Sequence, residues 1–177
     1  MKNIKRLIII ALPLTLFGCS SLQFGSQSDV EIIDEADRVH LATTLTMADY
    51  SALAEKVTDK MFRSKLAQSW STKKKKPRLV LGKLRNNTDD ENIRMQDIYD
   101  RITEIILGSG AVRLLDQSAN SFDYVVRSEL SSTRQYGEND QELAYYKLEF
   151  KLYKLDGEML GQWSDTIPLG KAGRRFI

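Results

Sequence analysis

YKLEFKLYKLDGE, residues 146–158, alternates one residue at a time between two chemistries. Tyr146, Leu148, Phe150 and Leu152 fall on one side of an extended chain, and Lys147, Glu149, Lys151 and Tyr153 on the other. Strict period two with one apolar side predicts a strand that packs on a core with one face and meets water with the other. Asp156-Gly157 supplies a hairpin turn into a further strand over 158–164. Upstream, Tyr124, Val126, Ser128 and Leu130 alternate with Val125, Arg127 and Glu129, before a turn-rich stretch over 132–140. Further upstream, residues 78–84 (RLVLGKL) predict a short strand. A polar turn follows over 85–90, then a helix over 93–107 with Met95, Ile98, Ile102, Ile105 and Ile106 inward, stopped by Gly108 and Gly110. Val112–Leu115 continues as a strand, so strand–helix–strand predicts a parallel pair with a right-handed crossover. Before all of these, Thr46 and Asp49 form a T-x-x-D helix start, and Met47, Tyr50, Leu53, Ala54, Val57, Met61 and Leu66 recur at helical spacing over 47–69. The sum is an α/β chain of α+β type, one mixed sheet of about five strands with two helices packed on one face.

Composition limits the chemistry. In 177 residues, 42% hydrophobic and 28% charged, there is one Cys and one His. No internal disulfide framework, Cys-rich metal site or His-based triad is available, and neither metal nor cofactor is expected. His40 has no second His or Cys to join it as a ligand. The 85–90 turn contains no glycine, so it is not a phosphate-cradling loop. Glu129 and Glu149 are the one pair of strand carboxylates that a glycosidase reading would use. Their alternation with apolar residues marks them instead as solvent-face charges, and the chain reads as a protein that is not an enzyme and takes no small-molecule substrate.

The N-terminus carries an address. Lys2, Lys5 and Arg6 precede an apolar run over 7–17, too short to remain as a spanning helix. The run ends in Leu16-Phe17-Gly18-Cys19, which resembles the lipobox of bacterial lipoproteins. That resemblance implies diacylation of Cys19, cleavage before it, and, with Ser20 next, sorting to an outer membrane. The organisation expected is a signal peptide over 1–18, a lipid-anchored tether over 19–45 and a periplasmic domain over 46–177. Without the first eighteen residues the formal charge falls from +2 to −1, with 23 cations against 24 anions, so nucleic acid is not an expected partner. Lys73–Lys76, four lysines before Pro77, read as a solvated loop, with anionic lipid or glycan as the alternative.

From about residue 47 onward the chain resembles the LpoB-type lipoproteins that activate penicillin-binding proteins. The features that carry the resemblance are the strand into Arg85-Asn86-Asn87-Thr88, the helix at 93–107 and Phe122-Asp123-Tyr124-Val125-Val126. The hairpin Asp156-Gly157-Glu158, its exit Trp163-Ser164-Asp165 and the tail Lys171-Ala172-Gly173-Arg174-Arg175 match as well. The resemblance implies an outer-membrane lipoprotein that touches a bifunctional peptidoglycan synthase and favours its active conformation. Two departures accompany it. The stretch 20–45 lacks proline and, as a coil, spans about 30 Å against about 90 Å fully extended. Only Asp116–Ser121 join two strands between which the relatives carry a further helical segment. No partner-binding residue is therefore transferred from the family. On residue type and loop position alone, the candidates for partner contact are Arg85, Asn87, Arg134, Tyr136, Arg174 and Arg175, with Phe176 beside them. The rival reading is a structural or adaptor lipoprotein of an outer-membrane secretion or appendage assembly, which a short tether would suit.

Overall fold

The structure, a computed structural model, describes residues 43–138 and 141–171. The signal segment, Cys19, His40, Arg174, Arg175 and Phe176 lie outside the described residues. Five strands form one mixed sheet in the order β2-β1-β3-β4-β5, built from β1 (Arg78–Asn87), β2 (Arg113–Leu115), β3 (Tyr124–Tyr136), β4 (Glu142–Lys154) and β5 (Met159–Lys171). β1 runs parallel to both β2 and β3, and β3, β4 and β5 form an antiparallel meander. Three helices complete the order: α1 (Met47–Phe62), α2 (Lys65–Ser71) and α3 (Met95–Ser109).

Thr46 caps α1 as its spacing predicts. Its backbone N–H donates to Asp49 Oδ2 at 2.7 Å, and the Asp49 N–H donates back to Thr46 Oγ1 at 3.4 Å. The helix expected to run to residue 69 is broken at Ser64. The Ser64 hydroxyl donates to the Met61 carbonyl at 2.7 Å and accepts from the Ala67 N–H at 3.3 Å, ending one helix and capping the next. The break turns Trp70 into the core, where it stacks on Tyr124 with ring centroids 5.2 Å apart. α3 ends on Gly110, whose φ of 57° is the left-handed conformation that a C-cap favours and glycine adopts without strain.

All three helices lie on one face of the sheet. Leu53, Val57 and Met61 of α1 and Ile98, Ile102 and Ile106 of α3 are buried against Leu79, Leu81, Val126, Leu130 and the inward row of β4, Tyr146, Leu148, Phe150 and Leu152. Each of those four β4 residues is fully buried, which at roughly 1.5–3 kcal/mol per large apolar side chain makes this strand the spine of the core. The opposite face, with Lys147, Glu149 and Lys151, has none of the described helices over it.

Strand ends depart from expectation. β1 continues through Arg85, Asn86 and Asn87, which pair with Glu129, Leu130 and Ser131, so the polar turn begins only at Thr88. β3 and β4 run on together to the Tyr136–Glu142 pair, through residues expected to form a turn. Hydroxyl and charged side chains there bond to one another across the ladder, which makes a polar stretch a stable strand pair.

Candidate functional site

The candidate contact residues fall at the end of the sheet where β1 and β3 finish. On the helix-free face, Asn87 Nδ2 donates to Glu129 Oε1 at 3.1 Å and Arg85 Nη1 stands 3.9 Å from Glu129 Oε2. Register sets Glu129 directly opposite Glu149 on β4. Glu149 in turn receives Lys147 Nζ at 2.7 Å, Lys151 Nζ at 2.8 Å and Gln162 Nε2 at 2.7 Å. Hydrogen bonds from Lys147 and then Lys151 hold its carboxyl down at about 2. A general acid of a glycosidase needs the opposite shift, so Glu149 is held ionised. The Arg127 guanidinium lies over the Tyr153 ring, 4.7 Å from its centroid, and both line a cavity of about 190 Å³ that Glu129 and Glu149 also border.

Arg134 has a different place from the exposed loop anticipated for it. It lies inside β3 on the helix-bearing face with only 14% of its side chain exposed. Its guanidinium pairs with Asp89 and Glu142, donates to Thr43 Oγ1 at 2.9 Å and donates to the Tyr146 hydroxyl at 2.6 Å. The Tyr146 hydroxyl passes its own hydrogen to the Thr43 carbonyl at 2.9 Å. Three distant segments thus converge on one guanidinium: the residues before α1, the turn after β1 and the start of β4. Ser132 strengthens the same junction by donating to Asp89 Oδ1 at 2.7 Å. That bond, followed by Arg134, lowers the Asp89 carboxyl below its ordinary range against the opposing effect of burial. Thr43 and Leu45 are buried, so this part of the chain packs as part of the domain.

Tyr136, by contrast, is 75% exposed at the tip of β3. Arg85 and Asn87 are also exposed. The structure therefore separates the described candidates into three side chains available at the surface and one, Arg134, whose donors are occupied within the chain. Thr43 was not legible as a member of a site, nor was the pairing of Asp89, in the polar turn over 85–90, with Arg134. The opposite charges of Asp89 and Arg134 were the available signal, but 45 residues separate them. Among the described residues no group of His, Cys, Asp and Glu side chains has the arrangement of a metal site. No helix among them is long and apolar enough to cross a membrane.

Residues 49–144 match the family described as peptidoglycan-synthase activator LpoB. The chain belongs to this family. Solved structures that align with the chain include LpoB C-terminal domains. The one from Salmonella enterica aligns at 12% identity and a TM-score of 0.47, over 67% of this chain and 98% of that one. The one from Escherichia coli aligns at 13% and 0.46, over 70% and 99%. Lipoprotein GNA1162 from Neisseria meningitidis aligns at 11% and 0.42, over 56% and 87%. No curated protein matches the chain. As in the sequence, Asp116–Ser121 connect β2 to the β3 region without a helix.

Proposed function

We propose that this LpoB-family chain is an outer-membrane lipoprotein, acylated at Cys19, whose periplasmic domain binds a bifunctional penicillin-binding protein and raises its peptidoglycan synthesis. The family match over residues 49–144 carries the reading. The strand carboxylates support it: Glu129 is engaged by Asn87, and Glu149 is kept ionised by two lysines. The domain acts by contact and performs no reaction. To shift a synthase toward its active conformation it must bind that conformation more tightly, and a tenfold preference corresponds to about 1.4 kcal/mol. The contact residues assigned are Arg85, Asn87 and Tyr136, with Arg174 and Arg175. Arg134 serves this surface by holding the ends of β1 and β3 in place.

The deciding experiment is glycan polymerisation by the organism's own bifunctional synthases, with and without the chain from Ser20 onward. Stimulation that Tyr136→Ala weakens is the expected result. Unchanged rates together with no binding would remove the proposal. Crosslinking in cells that recovers outer-membrane assembly proteins and no synthase would favour the adaptor reading instead.

A further inference from the structure

Half of the twenty lysines and arginines among the described residues are paired with carboxylates. Ten lysines and arginines of the described residues have a carboxylate oxygen within 4.0 Å. Lys73–Lys76 differ. All four are exposed, and none makes an ion pair or a side-chain hydrogen bond among the described residues. Arg113 adds a fifth charge: it is exposed at the start of β2, its N–H donates to the Pro77 carbonyl at 2.8 Å, and it too lacks a carboxylate. Five uncompensated cations at one end of a chain whose net charge is −1 from residue 19 onward repel one another, and that repulsion falls when an anionic surface meets them.

Lys76 has a partial internal explanation. A Cβ on Gly110 would lie 3.7 Å from its Nζ, so the ammonium sits at the C-terminus of α3, where the helix dipole is negative. Lys73, Lys74, Lys75 and Arg113 have none. In the same last turn of α3, Leu107 is 60% exposed, and its carbonyl accepts from the Gly110 N–H at 3.2 Å. An exposed apolar side chain thus lies in the helical turn at which the Lys76 ammonium sits. Ammonium groups on flexible stems attract anions without demanding a fixed geometry, whereas a pocket for a single carboxylate is better served by an arginine fork. A cluster of point charges beside an exposed leucine matches a phospholipid surface: headgroup phosphates for the lysines and the acyl boundary for the leucine.

We propose that the end of the sheet formed by Lys73–Lys76, Arg113 and Leu107 docks on an anionic phospholipid bilayer. This end lies where β1 begins, about 30 Å along the ten-residue strand from Asn87. It is therefore a surface apart from Thr43 and from Arg85, Asn87 and Tyr136.

The test uses the unacylated chain from Ser20 onward, which keeps every described residue. It is sedimented with vesicles of phosphatidylglycerol and phosphatidylethanolamine, and with vesicles of phosphatidylcholine. Binding to the anionic vesicles alone, falling as salt is raised, is expected. Lys73→Gln/Lys74→Gln/Lys75→Gln lowers the partition coefficient roughly 100-fold, from about fivefold per lysine. Leu107→Ser lowers it further. The same charge removed at Lys56, Lys83 and Lys171 leaves it unchanged, as does the thermal melt of either triple variant. Equal binding to phosphatidylcholine, equal loss in the control triple, or binding to isolated cell-wall glycan without binding to vesicles would overturn the proposal. Synthase stimulation by the Lys73–Lys75 variant is retained, so failure here is distinguishable from failure of the synthase reading.

Discussion

Replacing Arg134 by Met tests whether that end of the sheet is held by one guanidinium. The substitution keeps much of the aliphatic stem and deletes every donor. It breaks the ion pairs with Asp89 and Glu142 and the bonds to Thr43 Oγ1 at 2.9 Å and the Tyr146 hydroxyl at 2.6 Å. Hydrogen bonds from a charged donor contribute about 1.5–3 kcal/mol each when poorly solvated. Asp89 is half exposed, so water recovers much of what its carboxylate loses. The Tyr146 hydroxyl keeps its bond to Thr43. The expected loss is therefore about 2–4 kcal/mol, not the sum of four contacts. Urea denaturation should show a lower midpoint at unchanged slope, and the melting temperature should fall by about 10 °C. Hydrogen exchange adds a specific readout: amides of residues 43–45 lose protection before those of β4, because two of the bonds holding Thr43 run through Arg134 or Tyr146. A cycle with Tyr146→Phe should give a coupling above about 0.5 kcal/mol. A loss below about 1 kcal/mol, with residues 43–45 still protected, would refute the keystone role.

Glu149 makes a pH prediction. Its folded pKa of about 2 lies below its unfolded value, so its contribution is present above about pH 4.5 and is lost as pH falls toward 2. Glu149→Gln should lower stability at neutral pH and flatten the acid limb, read from urea midpoints across that window; an unchanged limb would count against the lysine pairing. Gly161→Ala would put a Cβ 2.5 Å from the Trp163 ring, which lies along the strand over this glycine. Displacing the indole should cost about 1–3 kcal/mol and red-shift emission in a Trp70→Phe background, and unshifted emission would contradict the packing. Trp70 is fully buried with no acceptor for its Nε1–H among the described residues. Trp70→Phe sheds that unsatisfied donor while keeping a ring over Tyr124, and should cost under about 1.5 kcal/mol, against about 3–5 kcal/mol for Trp70→Ala. A phenylalanine as costly as an alanine would show that the donor has a partner.

What was legible in the sequence was what local chemistry controls. The alternation in β4 holds because one face is buried along its length, and the Thr46–Asp49 spacing holds because a capping box needs only four consecutive residues. Ser64 was harder to read, since a serine inside a helical apolar pattern ends the helix only when a residue such as Trp70 gains burial from the turn. The ends of β1, β3 and β4 were not legible. Ser132, Thr133 and Arg134 look like a turn until Asp89, Thr43 and Glu142 are brought to them from 43, 91 and 8 residues away.

By residue type and position, Arg134 and Arg85 read as contact candidates and Lys73–Lys76 as a solvated loop. Their partners make them different. A cation whose donors are filled by its own chain sets geometry, and replacing it perturbs stability first. A cation with no internal partner leaves the fold indifferent to its loss and keeps its charge for whatever the domain meets. On that basis Arg134 and the lysines around Glu149 belong to the architecture, whereas Lys73–Lys75 and Arg113 belong to contact. The same division predicts which variants change melting and which change only binding, so measuring both quantities on one set of lysine and arginine substitutions tests the assignment of every charged residue at once.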